Sequence, residues 1–420
     1  MLPSSMSSPT LSKSDICRCI RGIRLTSNRD FRVPGGITPP LNSAYYLYAV
    51  YLDTLQDVYY WPIFIDDAPA NNDVRKMFLG GLVLQQTSLL LQGDILYAGF
   101  GGVCDAFNYT GVLVTVHIQT QWVNRWTTQA GPNSLYSDDW TKRHGGGAGG
   151  IWQAGMGLAS DGQDVFFTID HGVGSNNTNA TTAPISGKTH QDVLSESVVR
   201  TKATDNGTEL VDFFRPYDYQ HGEGQDIGSG GFSILDPGFS TGSVKRMGVT
   251  TSKNSKIYIH DVDNLGGYLQ GANKSDGVLQ TIHLDGEVYG GVGSYPLEGG
   301  YIYVNPGNAP LAAYRWTSNS SNSSGTFTLA GKSSATNPHL SGVGIPTVTS
   351  KNGTAGSGIV WMTDPDKGLL AFKAVPVNGT LVELPLPKLE GAVKYSRPVF
   401  GDGRVYVLDG KGRLVALGTK

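Results

Sequence analysis

The sequence predicts an all-β fold assembled from repeated small sheets, and three observations carry the prediction. Charged residues make up 16% of the 420 positions and 57 are glycine, against usual shares of about 25% and about 7%. With 20 Tyr and 7 Trp, that is the composition of strands and turns. Helical periodicity is nearly absent: no capped amphipathic run exceeds about ten residues. Finally, the chain ends on GDGRVYVLDGKGRLVALG, residues 401–418. This is a turn with Asp-Gly, an alternating apolar strand, a tight glycine turn and a second strand.

The same phrase recurs along the chain, at residues 44–58, 93–118, 162–169 with 197–202, 255–261, 300–316 and 358–373. Counting the terminal copy gives seven repeats. Small sheets repeated every 40–50 residues or so are the pattern of a β-propeller. A β-sandwich also alternates and turns on glycine, but it does not require one phrase seven times, so the propeller is the expectation. Residues 1–40 read as an irregular N-terminal segment and 41–420 as the propeller. The inserts at 119–150, 172–189, 317–337 and 353–357 are expected to be solvated loops.

Charge and sequons narrow the partners. With 32 basic and 35 acidic residues and a net charge of -3, there is no basic cluster for nucleic acid. No stretch is long and apolar enough for a membrane span. The glycosylation triplets Asn108, Asn176, Asn179, Asn206, Asn273, Asn319, Asn322, Asn352 and Asn378 exceed the roughly three or four expected by chance, which points to a glycosylated, extracellular protein. The N-terminus lacks an apolar signal core; either the protein is cytosolic with idle sequons, or its true start precedes this sequence. Cys17, Cys19 and Cys104 are too few to fix the redox compartment.

Several motifs fail on context. Residues 145–150, GGGAGG, spell GxGxxG but follow no strand and open no helix, so a dinucleotide such as NAD has no cradle there. Asp261, Asp263 and Asn264 open like a calcium loop, yet Ala272 stands where a bidentate Glu is required. The eight His show no pair at metal-ligand spacing. Two segments are richer. Residues 149–157 set Trp152 in a run of glycines, which permits close backbone approach to an axis or a flat ligand. Residues 221–231, HGEGQDIGSGG, hold His221, Glu223 and Asp226 ahead of the strand FSIL; glycine packing with Asp226 bonding turn amides is the structural alternative.

These segments resemble the quinoprotein alcohol dehydrogenase-like propellers with pyrroloquinoline-quinone-type repeats, in particular secreted fungal and bacterial members of unassigned reaction. The resemblance is carried by residues 150–172, 195–218, 226–236 and 255–268, with 47–58 and the final hairpin as further repeats. It implies an eight-bladed propeller, here with an incomplete or missing N-terminal blade. It also implies a quinone stacked on a Trp, a Ca²⁺ held by carboxylates, and an Asp that takes the proton from an alcohol or sugar. Carried to this chain, Trp152 is the aromatic platform, Glu223 and Asp226 the metal or acid–base pair, and His221 their neighbour. The chain departs from the family where Gly222 replaces an Asp, where a Trp is missing, and where no adjacent-Cys pair or haem motif occurs. A non-catalytic propeller that binds a glycan, a small molecule or a protein is the alternative.

Overall fold

The computed structural model describes residues 44–418 apart from 52, 104, 133, 174–192, 220–225, 320–323, 338 and 340. Among the described residues there is no α-helix, only three single 3₁₀ turns. Six sheets, antiparallel except for one parallel pair in the fourth, follow one another along the chain. The first holds Val83–Leu84, Leu90–Gln92, Ile95–Gly102, Val112–His117 and Val123–Thr127. The second holds Ala159–Ser160, Val165–Ile169, Ser197–Thr204 and Gly207–Phe214. The third holds Phe232–Ile234, Met247–Thr251, Lys256–Asp261 and Gln280–His283, and the fourth Gly293–Tyr295, Tyr301–Val304, Pro310–Asn319 and Ser324–Thr336, with the short strand Thr380–Leu381 added parallel to the last of these. The fifth, Thr347–Thr349, Ile359–Asp364 and Gly368–Lys373, and the sixth, Val399–Gly401, Arg404–Leu408 and Leu414–Gly418, have three strands each.

Alternation explains how the sheets associate. In Val165–Ile169 all five residues are buried, so both faces of the strand meet protein. Val165, Phe167 and Ile169 pack on Tyr97, Leu113 and Trp126 of the first sheet. Phe166, between them, points the other way and stacks on Phe232 of the third sheet, with ring centroids 5.2 Å apart and planes at 13°. The scheme repeats. Met247 and Val249 meet Ile302 and Val304, Tyr301 and Tyr303 meet Val360 and Met362, and Leu369 meets Val407. Each fully buried Phe contributes on the order of 1.5–3 kcal/mol. A two-layer sandwich buries one face per sheet, whereas these inner sheets bury both, as propeller blades do.

The terminal hairpin is one of these walls. Val405, Val415 and Leu417 join the last core cluster, while Leu408 and Leu414 on the opposite face are exposed.

Three expectations need correction. Residues 317–337 are not a solvated loop: Pro310–Asn319 and Ser324–Thr336 form a long hairpin. Thr and Ser carry β-propensity, and on a strand with one wet face they need no strict apolar alternation. Likewise the 119–150 insert contains Val123–Thr127. The first repeat is weaker than expected: residues 44–78 form two short pairs, Tyr46–Leu47 with Ile63–Phe64 and Ala68–Pro69 with Met77–Phe78, and a single bridge between Val50 and Asp57.

Candidate functional site

Antiparallel alternation fixes which connections share an end of the stack. Asp105, Asp170 and Lys253 follow within three residues of the ends of Ile95–Gly102, Val165–Ile169 and Met247–Thr251, at the same end of sheets one, two and three. Trp152 with Ala154, Ser229, Tyr289 and Tyr395 lie in the lead-ins to sheets two, three, four and six, again at that end. These residues line one cleft of about 210 Å³. Residues from the first sheet to the last therefore meet at one place, which requires the stack of sheets to curve about an axis.

Trp152 stands on one wall because two glycines make room for it. A Cβ on Gly101 would fall 2.6 Å from the indole Cε2, and one on Gly150 would fall 2.4 Å from Nε1. Opposite is a charged cluster. His171 Nδ1 lies 3.3 Å from Asp226 Oδ1 and 3.5 Å from Asp170 Oδ1, and its Nε2 lies 3.8 Å from Asp105 Oδ1. Lys253 Nζ pairs with Asp226 Oδ2 and lies 5.4 Å from the Tyr289 ring centroid. Tyr109 donates its hydroxyl to Asp105 Oδ1 at 2.6 Å, and buried Glu196 accepts the Ile227 amide at 3.0 Å. Asp226 itself is held in the left-handed region, φ 30° and ψ 58°, a conformation short polar residues tolerate at modest cost.

The electrostatics follow from burial and from who faces whom. Burial raises Asp170 to about 6 against the hydrogen bond from His171. Hydrogen bonds to Asp170 and then Asp226 push His171 up to about 11, so it is an imidazolium at neutral pH. Burial would raise Asp226, but the His171 bond and the Lys253 charge outweigh it and hold the carboxyl well below the usual range. Burial would lower Lys253, but the charges of Asp170 and Asp226 outweigh it and keep the ammonium well above its ordinary value. Glu196 is pushed far up by burial and by the charge of Asp170.

Of the residues expected to form the site, Trp152 and Asp226 do come together through this cluster. His221 and Glu223 lie outside the described residues, as do Asn176, Asn179 and Asn322. Asn206, Asn273, Asn352 and Asn378 are exposed at turns, and Asn319 closes the Pro310–Asn319 strand. Asn108 is half-buried and its amide donates to the Ser137 carbonyl at 3.0 Å. Asp105, Asp170, His171 and Lys253 were missed; the available signal was a charged residue within three positions of the end of a strand that itself carries no charge, as in VFFTI-DH.

Among the described residues, Asp226, the expected metal ligand, does not fit Ca²⁺. Ca²⁺ takes six to eight oxygen ligands, whereas the two Asp226 oxygens already face an imidazolium and an ammonium.

No family model matches the chain, and no curated protein matches it in sequence. Among solved structures it is similar to the quinohemoprotein alcohol dehydrogenase of Comamonas testosteroni, at 12% identity and TM-score 0.49, over 87% of this chain and 68% of that one. A europium-containing methanol dehydrogenase gives 11% and 0.45, over 89% and 79%. A provisional 6-phosphogluconolactonase from Bacteroides uniformis gives 12% and 0.43, over 88% and 90%. Likeness at this level brings no site residue with it. The class this chain defines by its own packing is an all-β protein of blade-like sheets with one charged, aromatic-walled cleft.

Proposed function

We propose that the chain is a single propeller domain, from about residue 41 to the end, whose cleft binds a small hydroxyl-bearing molecule, an alcohol or a sugar. The observation that carries this reading is the meeting of Trp152, Asp170, Lys253, Tyr289 and Tyr395 from five successive parts of the chain around one small cavity. Aromatic faces favour the C–H surface of such a ligand. Buried carboxylates accept its hydroxyl hydrogens and Lys253 donates to its oxygens. Asp170 and Asp105 face the cleft and are the candidates to take a proton from a bound hydroxyl, with His171 and Lys253 holding the negative charge in place. In this reading the six sheets are six blades, and the short pairs at 44–78 belong to reduced blades at the N-terminal end of an eight-bladed ring. An extracellular location with glycans on the exposed turns is part of the same proposal.

The test is a calorimetric and thermal-shift screen of small alcohols, polyols, aldoses and sugar acids on the whole chain. Binding by one of these classes, abolished in Trp152→Ala and Asp170→Asn, is the expected result; a screen without a ligand sinks the reading. A parallel arm adds pyrroloquinoline quinone with Ca²⁺. An altered quinone spectrum with dye-coupled alcohol oxidation would restore the quinoprotein reading over this one.

A further inference from the structure

Beside the cleft, three side chains from three different connections bring ligand atoms within 4.8 Å of one another: Asp105, His144 and His171. His144 and His171 pack edge to face, with ring centroids 5.5 Å apart. Three features make this more than a chance grouping. The first is His144 Nε2, a buried nitrogen with no hydrogen-bond partner. An unpartnered imidazole nitrogen is a ready metal ligand. The second is His171, whose Nδ1 faces Asp226 at 3.3 Å and Asp170 at 3.5 Å, leaving Nε2 directed at Asp105 Oδ1, 3.8 Å away. A carboxylate behind one ring nitrogen is the arrangement that orients a metal-binding histidine and makes it more basic. The third is Tyr109, which fixes the Asp105 carboxylate from outside the group by its 2.6 Å hydrogen bond.

We propose that Asp105, His144 and His171 bind a first-row transition dication of the Zn²⁺ type, with its remaining position open to the cleft. Two imidazoles and one carboxylate suit Zn²⁺ or Fe²⁺ and not Ca²⁺ or Mg²⁺. Ligand atoms about 2.0–2.2 Å from a tetrahedral ion stand about 3.4 Å apart, so the observed separations close by small side-chain rotations. On binding, the lone pair of His171 Nε2 goes to the metal and the proton it carried goes to solvent, while the Nδ1 hydrogen bonds stay in place. Because Asp105 also lines the cleft, the ion would polarise an oxygen bound there. That use rests on the small-ligand reading, whereas metal binding itself does not.

The experiment is titration of the purified full chain with Co²⁺, followed by its visible absorption, then displacement by Zn²⁺, with no organic ligand present. One Co²⁺ per chain is expected, displaced by Zn²⁺. Affinity should fall more than about a hundredfold in His144→Gln and Asp105→Asn, and about tenfold in Tyr109→Phe. His339→Gln, at the other His and Asp grouping, with Asp364 and Asp366, should bind as wild type does. Histidine NMR of the unmodified protein places the ion independently of any variant's folding, through Zn²⁺-induced shifts at His144 and His171. Absence of stoichiometric Co²⁺ binding, binding retained in both ligand variants, or shifts confined to other histidines would each overturn the site.

Discussion

Replacing Gly101 by Ala probes the wall of the cleft with a single methyl group. Its Cβ would lie 2.6, 2.7 and 2.9 Å from Cε2, Cδ2 and Cζ2 of Trp152. Carbon atoms at optimal contact stand about 3.5–4.0 Å apart, so the indole must retreat by about 1 Å. Gly101 belongs to the buried strand Ile95–Gly102 and cannot give way. The space at Gly150, whose own Cβ would meet Nε1 at 2.4 Å, is already filled by the ring. Movement into the cleft is what remains. Overpacking of this kind costs about 1–3 kcal/mol, and the loss of slack on two sides favours the upper half. The assay is equilibrium urea unfolding with the m-value monitored, in a cycle with Trp152→Ala. Once the indole is gone, Gly101→Ala should cost less than about 0.5 kcal/mol, a coupling within the 0.5–3 kcal/mol seen between touching residues. If Gly101→Ala leaves stability unchanged, or costs as much without Trp152 as with it, the placement of the platform is wrong.

Three further outcomes follow from the same geometry. Lys253→Met strips Asp226 of a partner; with both side chains partly buried, at 26% and 12% exposure, the loss should be about 2–3 kcal/mol, the low side of what breaking a buried pair costs, and Lys253→Met with Asp226→Asn should recover at least half of it. Buried Lys76 donates to the carbonyls of Leu135 and Gly146, and burial lowers it to about 8 from 10.5. The unfolded chain then binds more protons between those values, so stability should rise by up to about 3 kcal/mol from pH 8 to pH 10.5 relative to Lys76→Met, as read by urea unfolding at the two ends. Expressed through a secretory route, the chain should carry glycans at Asn206, Asn273, Asn352 and Asn378 and none at Asn108, whose amide is already engaged; peptide mass mapping checks each site.

The strands were legible where both faces are apolar or where alternation is strict. VFFTI and KIYIHD are examples, and the Gly-turn hairpin phrase located residues 93–118, 300–316 and 358–373 as paired strands. What failed was the Ser/Thr-rich strand Ser324–Thr336, because a strand with one wet face takes its order from its partners rather than from its own hydrophobicity. Some sequons have a second cause in turn chemistry. At Asn378-Gly379 both residues have positive φ, 49° and 78°, and Val377 and Thr380 exchange backbone hydrogen bonds. That is the Asn-Gly hairpin turn, and a β-branched Thr at the strand start completes the triplet. The site was half legible. Trp152 and Asp226 stood out by their glycine-rich surroundings. The link between them runs through Asp170, His171 and Lys253, each an ordinary charged residue in sequence, brought together only because two successive sheets end at the same side. His144 and His171 meet for the same reason, which no spacing rule on one element can reveal.

The central claim is that loops from the first to the last sheet surround one cleft. With Cys17, Cys19 and Cys104 replaced by Ser, Ala154→Cys and Tyr395→Cys would place two thiols on the cleft lining, where Tyr395 O lies 3.7 Å from the Cβ position of Gly155. A short bis-maleimide should join them within one chain in the native protein and not in urea, giving a faster-migrating monomer on a denaturing gel. Two thiols that stay unlinked under native conditions would mean that the sheets do not curve round a common axis, and the shared cleft would fall with them.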